Sequence, residues 1–312
     1  MYSEEANGMV IQVKPKKKKM TTGELVYNLI CGIIFTALAV VCIFPLYHLF
    51  ISTISDSTLV GLGQIYLVPR GVTLQNYVEV LKIQNLSSSV IVTIARTVTG
   101  TFGTLLCTSY LAYFFTKDNM WGKKFWYRLV VATMYFSAGM IPIYLNNKML
   151  GLINTFWIYI IPGLIGVYNM ILIKTSMEAL PAELEESAIL DGAGYFTRLY
   201  KIVLPLQKPI LATVGLFSMV SHWNDFFTTQ LYITKPKLYT LQFLLYEFLN
   251  QIKNASSQIN SAADSLGAAA SSIQPTSIRL TLTAIVIIPI MLVYPCIQRF
   301  YVKGVMIGAV KG

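Results

Sequence analysis

Charged side chains are scarce in this chain: Asp, Glu, Lys and Arg make up 12% of its 312 residues, against 55% hydrophobic residues. A water-soluble domain carries about 25% charged residues. So thin a polar coat cannot cover a globule in water, and lipid must be the solvent for much of the molecule. Cysteine is also sparse, with Cys31, Cys42, Cys107 and Cys296 all inside apolar runs and none at C-x-x-C spacing. That excludes a thiolate metal site and leaves the four as small packing residues without structural disulfides. The two histidines, His48 and His222, have no second His or Cys at ligand spacing, so no metal centre is predicted. No G-x-x-x-x-G-K-[ST] phosphate loop, H-E-x-x-H motif, Ser/His/Asp set or intramembrane carboxylate pair occurs. The chain therefore has no nucleotide site of its own and no catalytic residues. Lys and Arg outnumber Asp and Glu by 24 to 14, giving a net charge of +10. These cations sit at segment ends rather than in a patch interleaved with aromatics, which excludes nucleic acid and suits the negative inner leaflet of a membrane.

What the chain does have is long uncharged runs. About 20 apolar residues cross the hydrocarbon core as a helix. Residues 25–55 carry no charge, and 86–116 carry only Arg96. Runs 129–147 and 149–173 follow, with Lys148 between them as a tight hairpin. Residues 209–224 reach full length if 202–207 are added, and 280–298 close the set. The predicted fold is all-α, a polytopic membrane protein with six transmembrane helices. Orienting the spans with both termini inside places 16 of the 24 basic residues in cytoplasmic segments, led by Lys16–Lys19; cytoplasmic termini are therefore predicted. The first apolar run is too long for a signal-peptide h-region, and no A-x-A-like site follows it, so it reads as an uncleaved helix. The organisation is a basic cytoplasmic segment 1–24, a permeation domain 25–300, and a cytoplasmic tail 301–312.

Three connections stand out. After span one, Leu74, Tyr77, Val78 and Leu81 follow the capping residue Thr73 at helical spacing, predicting a short amphipathic helix that lies in the membrane interface. The outer connection 226–277 ends in a stretch, 254–277, rich in Ser, Ala, Asn and Gln, which predicts an irregular loop. The cytoplasmic connection 175–201 is far longer than a hairpin needs. Pro181 suits a first helical position, and Glu183, Glu185 and Glu186 fill a first turn that favours negative charge. Gly192 can end that helix, and a second short helix can run from near Tyr195 to Pro205. Nothing in bilayer insertion requires such a helix-turn-helix, so it reads as a docking surface for a partner.

At Glu186-Ser187-Ala188, Gly192 and Ile202-Val203-Leu204-Pro205 the sequence resembles the cytoplasmic Glu-Ala-Ala motif of the ABC importer permeases. Asp191-Gly192-Ala193 is similar to their carbohydrate branch. Ser187 replaces an Ala of the family pattern but keeps a small side chain. The stretch from Pro69 to Tyr77, Trp223-Asn224, and the C-terminus from Tyr301 to Gly312 extend the likeness over nearly everything after Lys19. The C-terminus resembles that of the second, maltose-type oligosaccharide permease. The resemblance implies a type I importer permease fold and no cofactor bound by this chain. It further implies a second permease subunit, two ATPase subunits that hold ATP and Mg, an extracytoplasmic sugar-binding protein, and a place in the bacterial cytoplasmic membrane.

On that resemblance Glu186, Ser187, Ala188, Asp191, Gly192, Ala193 and Pro205 are the candidate ATPase-coupling residues. Glu186 is either the coupling contact, an acid balancing the helix dipole, or both. Gly192 is either a close-approach residue or a helix terminator. His222, Trp223, Asn224 and Asp225 are the candidate substrate-pathway group: Trp stacks on sugars and Asn or Asp bonds hydroxyls, while an interfacial aromatic belt is the other account of the Trp. Arg96 either faces the bundle interior, snorkels, or pairs with an acid such as Asp225. The competing functional reading is a secondary carrier or channel for a small polar solute. That would want charged relays within the spans, and spans one, three, four and six have uncharged cores.

Overall fold

The structure, a computed structural model, describes residues 21–250 and 275–309. Contacts divide the chain into one unit up to His48 and a second from Leu49 onward. Every described regular element is helical.

The long helix α1, Thr22–Thr53, exposes Ile33, Phe35 and Val41, each more than half accessible, as suits a helix solvated by lipid. In the second unit, α2 (Ser57–Gly61) is capped by Asp56, whose carboxylate accepts from the Thr58 and Leu59 backbone N–H groups. The predicted amphipathic helix is present as α3, Gln75–Leu81. It buries Asn76 and Val80 and leaves Leu74, Val78 and Leu81 as one exposed apolar face. The Asn76 amide donates to the carbonyls of Thr53 (3.0 Å) and Ser55 (2.8 Å), which pins α3 to the end of α1.

Helix α4, Leu86–Thr116, turns the usual pattern of a soluble helix inside out. Ser89, Thr93, Arg96, Gly100, Thr104 and Thr108, at spacings of three and four, are buried, while Ile91, Ile94, Val98 and Phe102 face outward. This small polar face packs against α7 (Val167–Glu178) and α10 (Lys208–Asn224). Gly100 makes the approach possible, because a Cβ there would lie 2.4 Å from His222 Nε2.

Where the sequence predicts third and fourth spans joined at Lys148, the chain is broken differently. Helices α5 (Lys123–Ala132) and α6 (Met140–Met149) are separated by seven residues ending at Gly139, and Lys148 lies inside α6. The reversal comes after α6, at Gly151 and Asn154, both with positive φ. Apolar content cannot reveal such breaks, since residues 133–139 are uncharged, as are the stretches 129–132 and 140–147 on either side. Next, 3-10 turns from Phe156 to Gly163 bend by 48° into α7. The predicted extension of span five through 202–207 is helical but sharply bent from the rest of the span, the two pieces together being long and apolar enough to cross a bilayer. The helix Tyr195–Leu206, here α9, meets α10 at 85°. Pro209 has no N–H to offer the carbonyl of Pro205, and its ring clashes there. Gln207 instead turns the corner, its N–H bonding to the carbonyls of Val203 and Leu204 at 3.1 Å each.

After α10 come α11 (Phe227–Tyr232), a helix over residues 241–250, here α12, and α13, Pro275–Ala309. The predicted irregular loop lies outside the described residues except 275–277, which open α13. The C-terminal segment continues the helix through Gly304 and Gly308 to Ala309; one Gly costs a helix only about 1 kcal/mol. Three helices, α1, α4 and Pro275–Val293, are singly long and apolar enough to span a bilayer, and the two bent pairs raise this to five among the described residues. Among the described residues, three larger apolar clusters hold the second unit together, beside a small one of Ile51, Val60 and Ile65. One, around Tyr113, Met170, Leu199 and Val214, ties α4 to α7, α9 and α10. Another, around Val80, Trp223, Leu241 and Leu282, ties α3, α10, α12 and α13. The last gathers Val92, Ile158, Tyr159 and Tyr232.

Candidate functional site

The connection 175–201 folds as a helix, a sharp cap and a second helix. Helix α8 covers Glu183–Leu190, so Pro181 falls just outside it instead of at its first position. Its C-terminus closes with Gly192 at φ +76°, the Gly192 N–H reaching the Ile189 carbonyl (3.0 Å) and the Ala193 N–H the Ala188 carbonyl (2.9 Å). This six-to-one, five-to-two pattern needs a left-handed residue at that point, which favours glycine. A Cβ on Gly192 would meet no atom within 4 Å, so within this chain the residue terminates the helix and admits no close neighbour.

The face of α8 is divided. Ala188 is buried; Glu186, Ser187, Asp191 and Gly192 are exposed, Ala193 is half-buried, and Pro205 is exposed on α9. Ile189 (54%) and Leu190 (88%) are among the exposed apolar residues. Glu186 has no side-chain partner among the described residues. Its neighbour Glu185, three residues before Ala188 and on the same face, turns inward. There the Lys117 ammonium and the Tyr113 hydroxyl both donate to its carboxylate, and Arg198 Nη1 lies 3.7 Å away. Burial would raise the Glu185 carboxyl, but the hydrogen bonds from Lys117 and Tyr113 outweigh it and hold the group below its ordinary value. Arg198 stacks 4.4 Å over the Tyr195 ring. At the corner between α9 and α10, the Gln207 amide donates to the Ser176 carbonyl (2.9 Å) and accepts from the Ser176 hydroxyl, fastening the bend to α7.

The second group of predicted residues lies at the other end of α10. His222 is buried against Gly100. Trp223 is also buried, and its indole N–H donates to the Val286 carbonyl of α13 at 3.1 Å. Its polar atom is used and its ring is packed, which leaves it a role in joining α10 to α13 rather than stacking on a sugar. Asn224 is exposed and is the member of the group that offers free hydrogen-bonding atoms. Of the three alternatives for Arg96, the structure selects the ion pair. Its guanidinium meets the Asp225 carboxylate, donates to the Asp225 carbonyl at 2.8 Å, and lies 4.5 Å over the Tyr159 ring. Asp225 also accepts from the Thr228 N–H (3.0 Å), capping α11. Tyr159 donates to the Leu238 carbonyl (2.8 Å) and shares a hydrogen bond with Thr229 (2.9 Å). One polar knot thus joins α4, the 3-10 turn at Tyr159, the α10–α11 elbow and the turn Pro236–Leu238 that precedes α12.

Gln207, Tyr159 and Glu185, which the sequence marks only as a first-turn acid, are absent from the candidate site residues. Only the three-residue spacing of Glu185 from the small Ala188 hints at an inward face; nothing local marks Gln207 or Tyr159. Among the described residues no group of three or more His, Cys, Asp or Glu side chains is placed to hold a metal.

Comparison with known proteins points one way. A family model described as binding-protein-dependent transport system inner membrane component matches residues 104–307. Protein LplC of Bacillus subtilis is 35% identical over 284 residues, 91% of this chain and 94% of its own length. The polygalacturonan/rhamnogalacturonan transport system permease protein YtcP of the same organism is 33% identical, over 88% of this chain and 94% of its own. Among solved structures, a chain of a bacterial ABC transporter involved in the import of the acidic polysaccharide alginate superposes with a TM-score of 0.81 at 25% identity, covering 91% of this chain and 99% of that one. With an all-helical membrane fold and a helix-turn-helix where the permease motif falls, the chain belongs to the family of binding-protein-dependent transport system inner membrane components, the permease subunits of ABC importers.

Proposed function

We propose that this permease imports carbohydrate, as oligosaccharides or polysaccharide fragments, working in the bacterial cytoplasmic membrane beside a second permease subunit. Two ATPase subunits bind and hydrolyse ATP with Mg below it, and an extracytoplasmic sugar-binding protein delivers the substrate from above. Both termini lie in the cytoplasm. The observation that carries the coupling part is α8: eight residues with two carboxylates, Glu183 and Glu186, unpaired among the described residues, and three exposed apolar side chains, Leu184, Ile189 and Leu190, capped and followed after a short link by a helix that bends into α10. Too short to be stable alone in water, such a helix suits a cleft in a partner. Closure of the ATPase pair on ATP would press on α8, turn the α9–α10 corner, and switch the pathway between its two openings. The saccharide class is supported by the relatives whose names carry polysaccharides or oligosaccharides.

The test is reconstitution of the four transport chains in vesicles with the binding protein and a labelled oligosaccharide. Uptake that needs ATP and the binding protein, with no nucleotide bound by this chain alone, is the expected result. Uptake by the isolated chain down an ion gradient would instead establish a secondary carrier.

A further inference from the structure

Glu185 and Glu186 are adjacent in sequence yet face opposite ways. Glu186 stands in the open, whereas Glu185 reaches across to a residue 68 positions away on the end of α4. Apart from this carboxylate, α8 has little hold on the rest of the chain: Ala188 is its buried residue, and short irregular links, 179–182 and 191–194, flank it. The carboxylate gathers groups from two other helices, the Tyr113 hydroxyl and Lys117 ammonium from α4 and its end, and the Arg198 guanidinium from α9. Tyr113, Lys117 and Arg198 are 4%, 16% and 8% exposed and Glu185 itself 29%, so the partners are shielded from solvent while the carboxylate lies at the edge of the cluster.

We propose that Glu185 is the positioning residue that fastens α8 to α4 and α9, so that a push on α8 moves both helices together instead of being spent in the flanking links. The proposal rests on the reading of α8 as the ATPase-facing joint. Glu186 would take the partner's contact, and Glu185 would pass its displacement inward. Because two cations share one carboxylate, replacing Glu185 by its neutral isostere removes the fastening while preserving volume and the buried position of Ala188.

The experiment uses the full reconstituted complex and reads sugar taken up per ATP hydrolysed, alongside recovery of the assembled complex. In Glu185→Gln and in Lys117→Met the complex should assemble and hydrolyse ATP, with uptake per ATP reduced about five-fold, within the range that single changes along a coupled network produce. The double variant should be no worse than Glu185→Gln alone, since Lys117 acts through that carboxylate. Glu185→Asp, which keeps the charge, should fall between wild type and Glu185→Gln. Uptake per ATP unchanged in Glu185→Gln, additive losses in the double variant, or a parallel fall of uptake, hydrolysis and complex recovery would each overturn the proposal. A wild-type complex without ATP-dependent uptake would remove the underlying reading as well, and so marks that failure separately.

Discussion

Replacing Arg96 by Met should destabilise the protein more than any other single change at the C-terminal end of α10. The guanidinium is 3% exposed, and its removal strands a carboxylate that caps α11. Breaking a buried ion pair by deleting one partner costs about 3–5 kcal/mol. Asp225 is 25% exposed, so water can take over part of the lost solvation and the lower end, about 3 kcal/mol, is appropriate. Loss of the contact with the Tyr159 ring adds to this rather than offsetting it. At roughly 2 °C per kcal/mol for a chain of this length, thermal unfolding in detergent should shift down by about 6 °C. The double variant Arg96→Met with Asp225→Asn should recover part of that loss, because the stranded charge is gone while the Thr228 cap can persist. A shift below about 1 °C in the single variant, or a double variant less stable than the single one, would refute the claim that this pair is a desolvated, structure-bearing contact.

Two further outcomes follow from the site geometry. Trp223→Phe should lose the bond to Val286 and about 1 kcal/mol of stability while leaving the apparent affinity for sugar unchanged, whereas Asn224→Ala should weaken sugar-dependent uptake without moving the unfolding temperature; uptake titrations paired with thermal melts separate them. Gly192→Ala should cost about 1 kcal/mol through the left-handed backbone alone, with Gly192→Leu no worse for isolated-chain stability because the space beyond Cβ is open, yet clearly worse for complex recovery if an ATPase subunit packs there.

Much of the fold was legible because its signals are cumulative. The uncharged lengths of α1, α4 and α13 announce spans, and the acid-rich turn, small residues and glycine of 183–192 mark a helix with a defined end. The breaks were not legible. Between Ala132 and Met140, and from Phe156 to Gly166, the chain leaves the α-helix without changing polarity, and hydropathy is blind to conformation. The corner at Gln207 had a visible cause in Pro205 and Pro209, but the prolines allow either a kink or a start, and the packing of Gln207 on Ser176 decides. At the site, residue type located the right neighbourhoods and missed the directions. Trp223 is a sugar-stacking side chain by chemistry and a packing one by position, because α13 lies against it. Glu185 and Glu186 are chemically identical, and only the phase set by Ala188 separates the inward from the outward one. Arg96 could not be assigned at all until the elbow after α10 brought Asp225 beneath it.

Helix α8 as the surface that meets the ATPase is the central claim, and a cross-link at its exposed end tests it. Leu190, 88% exposed at the helix end, can be changed to Cys without disturbing any packed side chain, and Met149, equally exposed at the end of α6, serves as the control position. In the assembled complex, a short bifunctional thiol–amine reagent should join Leu190→Cys to an ATPase subunit, with a yield that changes when ATP is added, and should leave Met149→Cys unlinked. Equal linking of the two positions, or none from Leu190→Cys in a complex that hydrolyses ATP and takes up sugar, would contradict the account.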